Sequence, residues 1–347
     1  MSGAGMSGVG MNRLGIVGAG AWGTALALLA RRAGKDALLW AYEPELVDEI
    51  NRRHENAPYL PGVTLDPAIR ATGDLAELAR ADAIFLVTPA QNLRALVLRL
   101  ATHLAKTIPL VICAKGIEES SGALMTEIVA AALPSNPLAV LSGPGFALEI
   151  ARDLPTAVTL ACRDADLGKR LVDAIGNRHF RPYLGDDPVG AEIGGAVKNV
   201  IAIACGIVQG RKLGDNARAA LITRGLAEMA RLGAAKGAKP ATFMGLSGLG
   251  DLTLTCNATQ SRNFSLGVAL GEGRTLEAAL RGRRSVAEGV ATAASVAALA
   301  RKLGVEMPIA AAVDGVLHRA LPIDATIERL LARPLTSEGL APPAAPR

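Results

Sequence analysis

The hydrophobic positions along this chain follow one pattern up to about residue 190 and a different pattern beyond it. The first part contains short apolar runs typical of buried β-strands, at residues 14–17, 37–43, 82–89, 109–116, 138–145 and 156–161. Helical periodicity lies between some of these runs, at residues 90–105 and 121–133. This alternation predicts an α/β fold with a Rossmann-type, doubly wound and mainly parallel sheet.

Beyond residue 190 the strand-like runs stop, and helical spacing predominates. It covers residues 192–209, 216–236, 240–247, 263–271, 275–281, 288–303 and 308–319. The change predicts an all-α C-terminal domain. We therefore expect a disordered extension at residues 1–12, a sheet domain at residues 13–190 and a helical domain at residues 191–340.

The first helix of the second part carries a polar pair inside an apolar stretch. In "EIGGAVKNVIAIACGI" the apolar side chains recur every three or four residues, which predicts a helix with one face against a core. Lys198 and Asn199 interrupt that stretch. Either the lysine extends its amine to water along its four-carbon stem, or it lies in a polar cavity where burial lowers its pKa and suits it to proton transfer. The pattern alone leaves both interpretations open.

Composition and charge narrow the class of partner. Apolar residues make up 50% of the chain and aromatic residues only 3%, which favours helices packed on a parallel sheet. A formal net charge of +5 suits anionic ligands. Because the basic residues are scattered and few aromatic rings could stack on bases, we expect a small phosphorylated ligand and no nucleic acid.

The cysteines and the apolar runs bear on location. The four cysteines lie far apart in apolar segments without the spacing of a metal site, so we expect reduced thiols, no metal and a cytoplasmic protein. The run at residues 15–30 resembles the apolar part of a signal peptide, but its glycines argue for a turn. No other run reaches the roughly 18 residues of a membrane span, so we expect no membrane insertion.

That glycine-containing run, "RLGIVGAGAWGTALALLARRAG", begins as a strand and continues as a helix. Gly18, Gly20 and Gly23 between them have the G-x-G-x-x-G spacing. In a dinucleotide site these glycines permit the tight turn, the approach of a pyrophosphate and the close packing of helix on strand. The helix N-terminus then attracts the phosphates. A glycine-rich turn of any α/β unit is the alternative, but the strand, the helix and a second strand predict dinucleotide binding by the sheet domain.

The end of the second strand bears on which dinucleotide is bound. Glu43 lies about 20 residues beyond Gly23, where a carboxylate accepts hydrogen bonds from the adenosine ribose and repels the 2′-phosphate of NADP. Tyr42 occupies the place where an arginine would favour that phosphate. The cofactor is therefore predicted to be NAD or NADP, with NAD favoured. Nearby arginines could reverse the preference, namely Arg31, Arg32, Arg52 and Arg53.

The strands at residues 82–89, 109–116 and 138–145 each end in a polar or turn cluster. In open α/β sheets the ligand lies beyond the carboxyl ends of the strands, so these clusters are predicted to line one crevice. Lys115 would contribute a cation to it, although a solvated loop lysine is the alternative.

Ordered motifs along most of the chain carry a family resemblance: "GAGAWGTALA", "HENAPYLPG", "CAKGIE", "LSGPGFALEIA", "AEIGGAVKNVIAIACGI", "GLSGLGDLTLTC" and "QSRN". The chain resembles the soluble, bacterial biosynthetic type of NAD(P)-dependent glycerol-3-phosphate dehydrogenase from about residue 13 to residue 320. The resemblance implies interconversion of dihydroxyacetone phosphate and sn-glycerol 3-phosphate for phospholipid synthesis. A homodimer is a further possibility that the sequence leaves open.

The resemblance also implies roles for individual residues. Lys198 matches the general acid/base, so it is the predicted catalytic residue. Predicted substrate ligands are Lys115, Gly143, Gly145, Asn199, Asp251, Thr255, Ser261, Arg262 and Asn263. Beyond the glycines, Tyr42 and Glu43, the predicted cofactor contacts are Ala21, Trp22, Lys115, Ala147, Arg262, Val286 and Glu288. Gly145 departs from the family pattern, because relatives generally carry Ser or Thr there.

Ketone reduction requires residues of these types independently of the family resemblance. A nascent alkoxide needs a proton donor and nearby positive charge, which Lys198 and Lys115 can supply. Asp251 can hold a lysine, and Arg262 can grip a phosphate with a planar fork of donors. The plainer interpretations are a helix cap for Asp251 and a surface charge for Arg262.

Two other functions compete with this one. A hydroxyacid or ketopantoate-type reductase would share the glycine spacing and a helix lysine, but would not require "QSRN" as a phosphate grip. A non-catalytic NAD-sensing module would bind the dinucleotide without needing both lysines and Asp251.

Overall fold

Eight strands form one sheet in the computed structural model, which describes residues 10–281 and 287–334. The strands are β1 (Arg13–Val17), β2 (Asp36–Trp40), β3 (Arg70–Thr72), β4 (Ala83–Leu86), β5 (Leu110–Ile112), β6 (Leu138–Ser142), β7 (Thr156–Cys162) and β8 (Phe180–Gly185). Val286, residues 1–9 of the predicted extension and residues 335–347 lie outside the described residues.

The strand order is β3-β2-β1-β4-β5-β6-β7-β8. Every neighbouring pair is parallel except β6 and β7, which are antiparallel. The first six strands have the 3-2-1-4-5-6 order of a Rossmann sheet, and the order reverses between β1 and β4. This confirms the predicted doubly wound, mainly parallel sheet and places a crevice at the carboxyl ends of β1 and β4.

Helices cover both faces of the sheet. They are α1 (Ala21–Arg32), α2 (Pro44–Arg53), α3 (Leu93–Leu100), α4 (Met125–Ala132), α5 (Ala147–Ala151) and α6 (Ala165–Ile175), with 3₁₀ turns at Leu75–Arg80 and Ala90–Asn92. Phe85 and Leu86 are adjacent on β4 but belong to different buried clusters, because alternate side chains of a strand point to opposite faces. Burial on both faces explains why the central strands are apolar throughout rather than alternating.

The chain after β8 is helical. Its elements are α7 (Pro188–Gly210), α8 (Asp215–Ala235), α9 (Pro240–Phe243), a π-helical turn (Leu246–Gly250), α10 (Asp251–Asn257), α11 (Arg262–Gly271), α12 (Leu276–Leu280), α13 (Glu288–Leu303), α14 (Pro308–His318) and α15 (Ile323–Leu331). A third buried cluster holds these helices together, and α7 contributes much of it. The predicted all-α C-terminal domain is therefore confirmed.

Glycines let α7 and α11 approach until their backbones touch. A Cβ atom added at Gly206 of α7 would lie 2.8 Å from the Cα atom of Gly267 in α11. One turn further on, a Cβ atom at Gly271 would lie 2.9 Å from the Cα atom of Gly210. No larger residue fits at this seam without moving one helix.

Asp187 fixes the start of α7. Its Oδ1 accepts a hydrogen bond from the Gly190 amide at 3.0 Å, as an N-cap does. Its Oδ2 accepts from the Lys239 amide at 2.8 Å and from the Thr242 hydroxyl at 2.6 Å. One buried carboxylate thus joins the start of α7 to α9.

The helix Pro188–Gly210 corrects one expectation. By length and composition it could cross a membrane, although the sequence analysis found no such run beyond residues 15–30. Its most apolar window is entirely buried inside the protein. Its apolar residues therefore serve the core, as in many central helices of globular proteins.

Candidate active site

The carboxyl ends of β4, β5 and β6 face the middle of α7. Thr88, Lys115 and Gly143 follow these strand ends. Lys115 Nζ donates a hydrogen bond to the Gly143 carbonyl oxygen at 3.2 Å. A Cβ atom added at Gly195 of α7 would lie 3.3 Å from Lys115 Cγ, so α7 covers this edge of the sheet closely. The strand-end clusters of Lys115 and Gly143 therefore line one crevice, as predicted.

Lys198 is buried in this crevice, with 8% of the residue exposed. Its Nζ donates hydrogen bonds to Asp251 Oδ1 at 2.6 Å and to the Thr255 hydroxyl at 3.0 Å. The lysine therefore lies in buried polar surroundings, and the interpretation in which it extends to water is wrong. Burial lowers the pKa of Lys198 to about 8, against the opposing attraction of Asp251.

Asp251 holds both lysines at once. Its Oδ2 accepts a hydrogen bond from Lys115 Nζ at 2.7 Å, while Oδ1 accepts from Lys198. The residue is 1% exposed. Burial acts to raise the pKa of Asp251, but the charges of the two lysines outweigh it and leave that pKa below its ordinary value. The carboxylate is thus ionised, and the interpretation of Asp251 as merely a helix cap is wrong.

Thr255 lies one helical turn after Asp251 on α10. Its hydroxyl donates to the Asp251 carbonyl oxygen at 2.6 Å and accepts from Lys198 Nζ. The π-helical turn at Leu246–Gly250 leads directly into α10 and sets the direction in which Asp251 enters the crevice. A Cβ atom at Gly194 of α7 would collide with the Ser247 carbonyl oxygen of that turn, so the glycine permits this close approach.

Asn199 and Asn263 form a second buried polar pair. Asn263 Nδ2 donates to Asn199 Oδ1 at 2.9 Å, and Asn263 Oδ1 accepts from the Gly289 amide at 3.0 Å. These bonds connect α7, α11 and α13. The structure therefore places both asparagines beside the lysine helix, while their role as substrate ligands stays a prediction.

The "QSRN" segment forms the start of α11. The buried Ser261 hydroxyl is the N-cap of that helix and accepts from the Phe264 amide at 3.2 Å. Arg262 follows as the first helical residue, and its side chain is exposed. Glu288 begins α13, where burial raises its pKa and the nearby charge of Arg262 opposes that rise. A phosphate on Arg262 would lie at the positive end of α11.

The glycine-rich turn after β1 has the geometry expected for a dinucleotide. Gly18 has φ +118°, and a Cβ atom there would lie 2.8 Å from the Val87 carbonyl oxygen. A Cβ atom at Gly23 would collide with the Gly18 carbonyl oxygen, so this glycine lets α1 pack against the turn. By contrast, a Cβ atom at Gly20 would meet nothing within 4 Å, which leaves open space before the helix N-terminus.

Other features also fit a bound dinucleotide. Ala21 and Trp22 are the first residues of α1 and are half-buried beside this space. The Thr88 hydroxyl at the end of β4 is buried without a hydrogen-bond partner among the described residues. A ligand in the crevice could satisfy it. When bound here, the pyrophosphate would lie against the amides at the start of α1.

The loop after β6 lies between the two parts of the site. Gly143 has φ +149°, and a Cβ atom there would lie 2.9 Å from Val158 Cα. At Gly145 a Cβ atom would lie 3.1 Å from Ile150 Cδ1 and 3.5 Å from the Trp22 ring. A serine or threonine at Gly145 would thus require Ile150 to move slightly. Ala147 begins α5 just beyond this loop and is half-buried.

At the end of β2, Tyr42 is 76% exposed and Glu43 is the N-cap residue of α2. Two nearby residues of the "HENAPYLPG" motif, Asn56 and Tyr59, were not among the predicted site residues. Asn56 is fully buried and donates to the Ala19 carbonyl oxygen at 2.9 Å. Tyr59 donates its hydroxyl to Glu43 Oε1 at 2.8 Å. The only indication of Asn56 and Tyr59 in the sequence was that they are polar residues in a turn-like motif. The fold shows which groups they contact.

Ser142, at the end of β6, belongs to the strand-end cluster predicted to line the crevice, but it was assigned no individual role. Its hydroxyl is buried without a hydrogen-bond partner among the described residues, and it faces the position of a Cβ atom at Gly195 at 3.0 Å. Within the part of the chain that the structure describes, no three His, Cys, Asp or Glu residues are grouped to hold a metal ion. The four cysteines are buried free thiols.

The glycine-rich turn, together with the two lysines on the Asp251 carboxylate, places this chain among the NAD(P)-dependent dehydrogenases of Rossmann type. Residues 13–168 match the N-terminal model, and residues 187–328 the C-terminal model, of NAD-dependent glycerol-3-phosphate dehydrogenase. The chain belongs to the glycerol-3-phosphate dehydrogenase family.

Individual relatives agree with this assignment. The glycerol-3-phosphate dehydrogenase [NAD(P)+] of Parvibaculum lavamentivorans is 58% identical over 326 residues, which cover 94% of this chain and 98% of the relative. The enzyme of the same name from Rhodospirillum rubrum is 58% identical over 330 residues, covering 95% of each chain. The crystal structure of glycerol-3-phosphate dehydrogenase from Coxiella burnetii has a TM-score of 0.90 at 41% identity and covers 93% of this chain and 99% of that one.

Proposed function

We propose that this protein catalyses reversible hydride transfer between NAD(P)H and dihydroxyacetone phosphate, giving sn-glycerol 3-phosphate for phospholipid synthesis. The observation that carries the proposal is the buried Asp251 carboxylate with Lys115 and Lys198 on its two oxygens. This arrangement offers a carbonyl oxygen one proton donor and a second fixed positive charge. The family membership of the whole chain supports the substrate.

In ketone reduction, a reduced nicotinamide dinucleotide held at the turn of Gly18, Gly20 and Gly23 would supply the hydride, and C2 of the substrate would accept it. The carbonyl π electrons pass to oxygen, and the developing alkoxide takes a proton from Lys198 Nζ. Lys115, hydrogen-bonded to Asp251, stabilises the negative charge as it forms. Thr255 and Asp251 hold the Lys198 amine in place, so little reorganisation is needed at the moment of transfer.

The protonation of Lys198 suits both directions of this reaction. Because burial brings its pKa to about 8, the amine gives up a proton more readily than an ordinary lysine and still binds one near neutral pH. The protonated amine acts in reduction. The neutral amine acts as the base that removes the hydroxyl proton during oxidation.

The substrate phosphate would lie at the start of α11. Arg262 supplies a fork of donors, and the amides at the α11 N-terminus add to the positive potential. Asn263 and Asn199 lie between this end and Lys198, which suits contacts to the hydroxyl groups of a three-carbon substrate.

The remaining features of the proposal concern the cofactor preference, the cellular location and the oligomeric state. We expect NADH to be used at least as efficiently as NADPH, because Glu43 lies where a 2′-phosphate would bind. We also expect a cytoplasmic, soluble protein. A homodimer is the oligomeric state to be tested, by multi-angle light scattering.

A spectrophotometric assay of NADH and NADPH oxidation tests the function. Dihydroxyacetone phosphate should be reduced efficiently, whereas dihydroxyacetone and ketopantoate should be poor substrates. Preferred reduction of ketopantoate would assign the chain to the hydroxyacid or ketopantoate reductases. Tight NADH binding without reduction of any of these ketones would favour the sensing module.

A further inference from the structure

The loop between α2 and β3 connects the two ends of the predicted dinucleotide site. Residues 54–64 form this connecting loop. It is closed by an antiparallel bridge between Glu55 and Thr64 and by a hydrogen bond from the Leu65 amide to the His54 carbonyl oxygen at 2.7 Å. Leu60 is 2% exposed and belongs to the buried cluster on one face of the sheet. The connecting loop is therefore anchored in the core.

Asn56 attaches the connecting loop to the glycine-rich turn. Its Nδ2 donates to the Ala19 carbonyl oxygen at 2.9 Å and to the Thr24 hydroxyl at 2.7 Å. Its Oδ1 accepts from the Tyr59 amide at 3.3 Å. A buried amide with its donors and acceptor engaged in this way fixes the turn and the backbone of Tyr59 relative to each other.

Tyr59 attaches the same loop to the end of β2. Its hydroxyl donates to Glu43 Oε1 at 2.8 Å, and both side chains are half-buried. Glu43 is the N-cap residue of α2, but its side chain makes no capping bond to that helix. The position of the carboxylate is therefore set by Tyr59, and the second oxygen is left for a ligand.

Two of the four arginines that could favour a 2′-phosphate, Arg31 and Arg32, are engaged by other groups. Arg31 pairs with Asp36 at 3.1 Å and with Asp66 at 3.3 Å. Arg32 donates to the Ile150 carbonyl oxygen at 2.7 Å, in α5. Arg31 and Arg32 are therefore already engaged and are poorly placed to reverse the cofactor preference.

We propose that Tyr59 is a positioning residue that determines the preference for NADH over NADPH, by holding the Glu43 carboxylate against the adenosine ribose. The inference rests on the proposed NAD(P)-dependent function. A carboxylate free to rotate can swing away from a 2′-phosphate, whereas a fixed one must either accept hydrogen bonds from the ribose hydroxyls or repel the phosphate. Loss of the Tyr59 hydroxyl thus weakens the binding of NADH and reduces the repulsion of the 2′-phosphate of NADPH.

The test compares Tyr59→Phe with the wild-type protein. Dissociation constants for NADH and NADPH are measured by nicotinamide fluorescence without any ketone present. Competition by 5′-AMP and adenosine 2′,5′-bisphosphate repeats the comparison for the adenosine half alone. We expect the ratio of the NADPH and NADH dissociation constants to fall about tenfold, since a hydrogen bond to a charged group is lost. Because no substrate is used, the result does not depend on which ketone the enzyme reduces.

Two further variants make the result decisive. Tyr183→Phe is the matched control, because Tyr183 is exposed on the edge strand β8, and it should leave the ratio unchanged. Glu43→Gln should lower the ratio by itself, and adding Tyr59→Phe to it should have no further effect. An unchanged ratio in Tyr59→Phe, or an equal loss of affinity for both dinucleotides, would overturn the proposal. A full additional effect in the double variant would do the same.

Discussion

The amine of Lys198, inside an apolar helix, meets a carboxylate and a hydroxyl rather than water, so we expect it to act as the general acid. Lys198→Ala should lower kcat for reduction of dihydroxyacetone phosphate by about 10²–10⁴-fold, the range for loss of a general acid. NADH affinity, measured by fluorescence titration, should change little. Lys169→Ala is the control, because Lys169 is a surface lysine paired with Asp166. Near-normal turnover in Lys198→Ala would show that Lys198 is structural.

The pH dependence of the two directions should differ in sign. Reduction needs protonated Lys198, whose pKa is lowered to about 8, chiefly by burial. Hence kcat for reduction should be constant below about pH 8 and fall as pH rises through it. For oxidation of glycerol 3-phosphate, kcat should rise through the same pH range. Profiles measured at saturating substrate check this, and a reduction profile that rises through pH 8 would contradict it.

Arg262 should act on the phosphate of the substrate. Arg262→Ala removes two charge-assisted hydrogen bonds of at least about 1.5 kcal/mol each, so kcat/KM for dihydroxyacetone phosphate should fall by about 10²-fold. The value for dihydroxyacetone should fall much less. Arg274→Ala, an exposed arginine beyond the end of α11, is the control. Equal losses with both substrates would reassign Arg262 to the cofactor.

Some of the site could be predicted from single residues and some could not. Lys198 was found because a charge inside an apolar stripe is conspicuous, and Asp251 because a motif surrounds it. Ser142 and Asn56 also lie in motifs, but neither was assigned a role. Their burial depends on Gly195 and Ala19, which come from distant parts of the chain, so only the folded structure shows what they contact.

At the scale of the element, the apolar central strands were predicted and the edges were missed. β3 has only three residues, Arg70–Thr72, too few to show a pattern. β8 contains Pro182 and the exposed side chains of Tyr183 and Leu184, as an edge strand can, and so does not resemble a buried strand. The helix predicted at residues 240–247 is α9 followed by the π-helical turn, because periodicity does not distinguish a widened turn from a regular one.

The seam between α7 and α11 yields a prediction about stability. Gly206→Ala would bring a methyl group against the Phe264 carbonyl oxygen and the Gly267 Cα atom, and should cost about 1–3 kcal/mol of unfolding free energy. Urea denaturation measures this cost. Gly73→Ala is the matched control, because a Cβ atom there meets nothing within 4 Å. Equal midpoints for the two variants would mean that the helices separate easily.

At the scale of the whole molecule, Glu192 joins α7 to the sheet domain. It is 3% exposed and accepts hydrogen bonds from the Thr126 amide at 2.7 Å and the Thr126 hydroxyl at 2.6 Å, at the start of α4. Burial raises the pKa of Glu192 to about 7, although those hydrogen bonds oppose the rise. The contact between the domains therefore contains a carboxyl group that titrates near neutral pH.

This group should make stability depend on pH. Between about pH 4.5 and pH 7 the folded protein retains the Glu192 proton and the unfolded chain does not, so stability falls as pH rises through that window and levels off above it. In Glu192→Gln this fall should be smaller, by on the order of 2–3 kcal/mol. Urea midpoints at pH 5 and pH 8 measure it, with exposed Glu45→Gln as the control. The same change in urea midpoint between pH 5 and pH 8 in the wild type and in Glu192→Gln would contradict the prediction.

The burial of α7 also determines how slowly its backbone amides exchange with solvent. Its most apolar window is wholly buried, and the helix is bounded by the sheet, α8, α10, α11 and α13, so its backbone amides can exchange with solvent deuterium only when a large part of the molecule opens. Lys198 and Asn199 lie on that backbone. The backbone placement of Lys198, the predicted proton donor, should therefore last about as long as the native state itself.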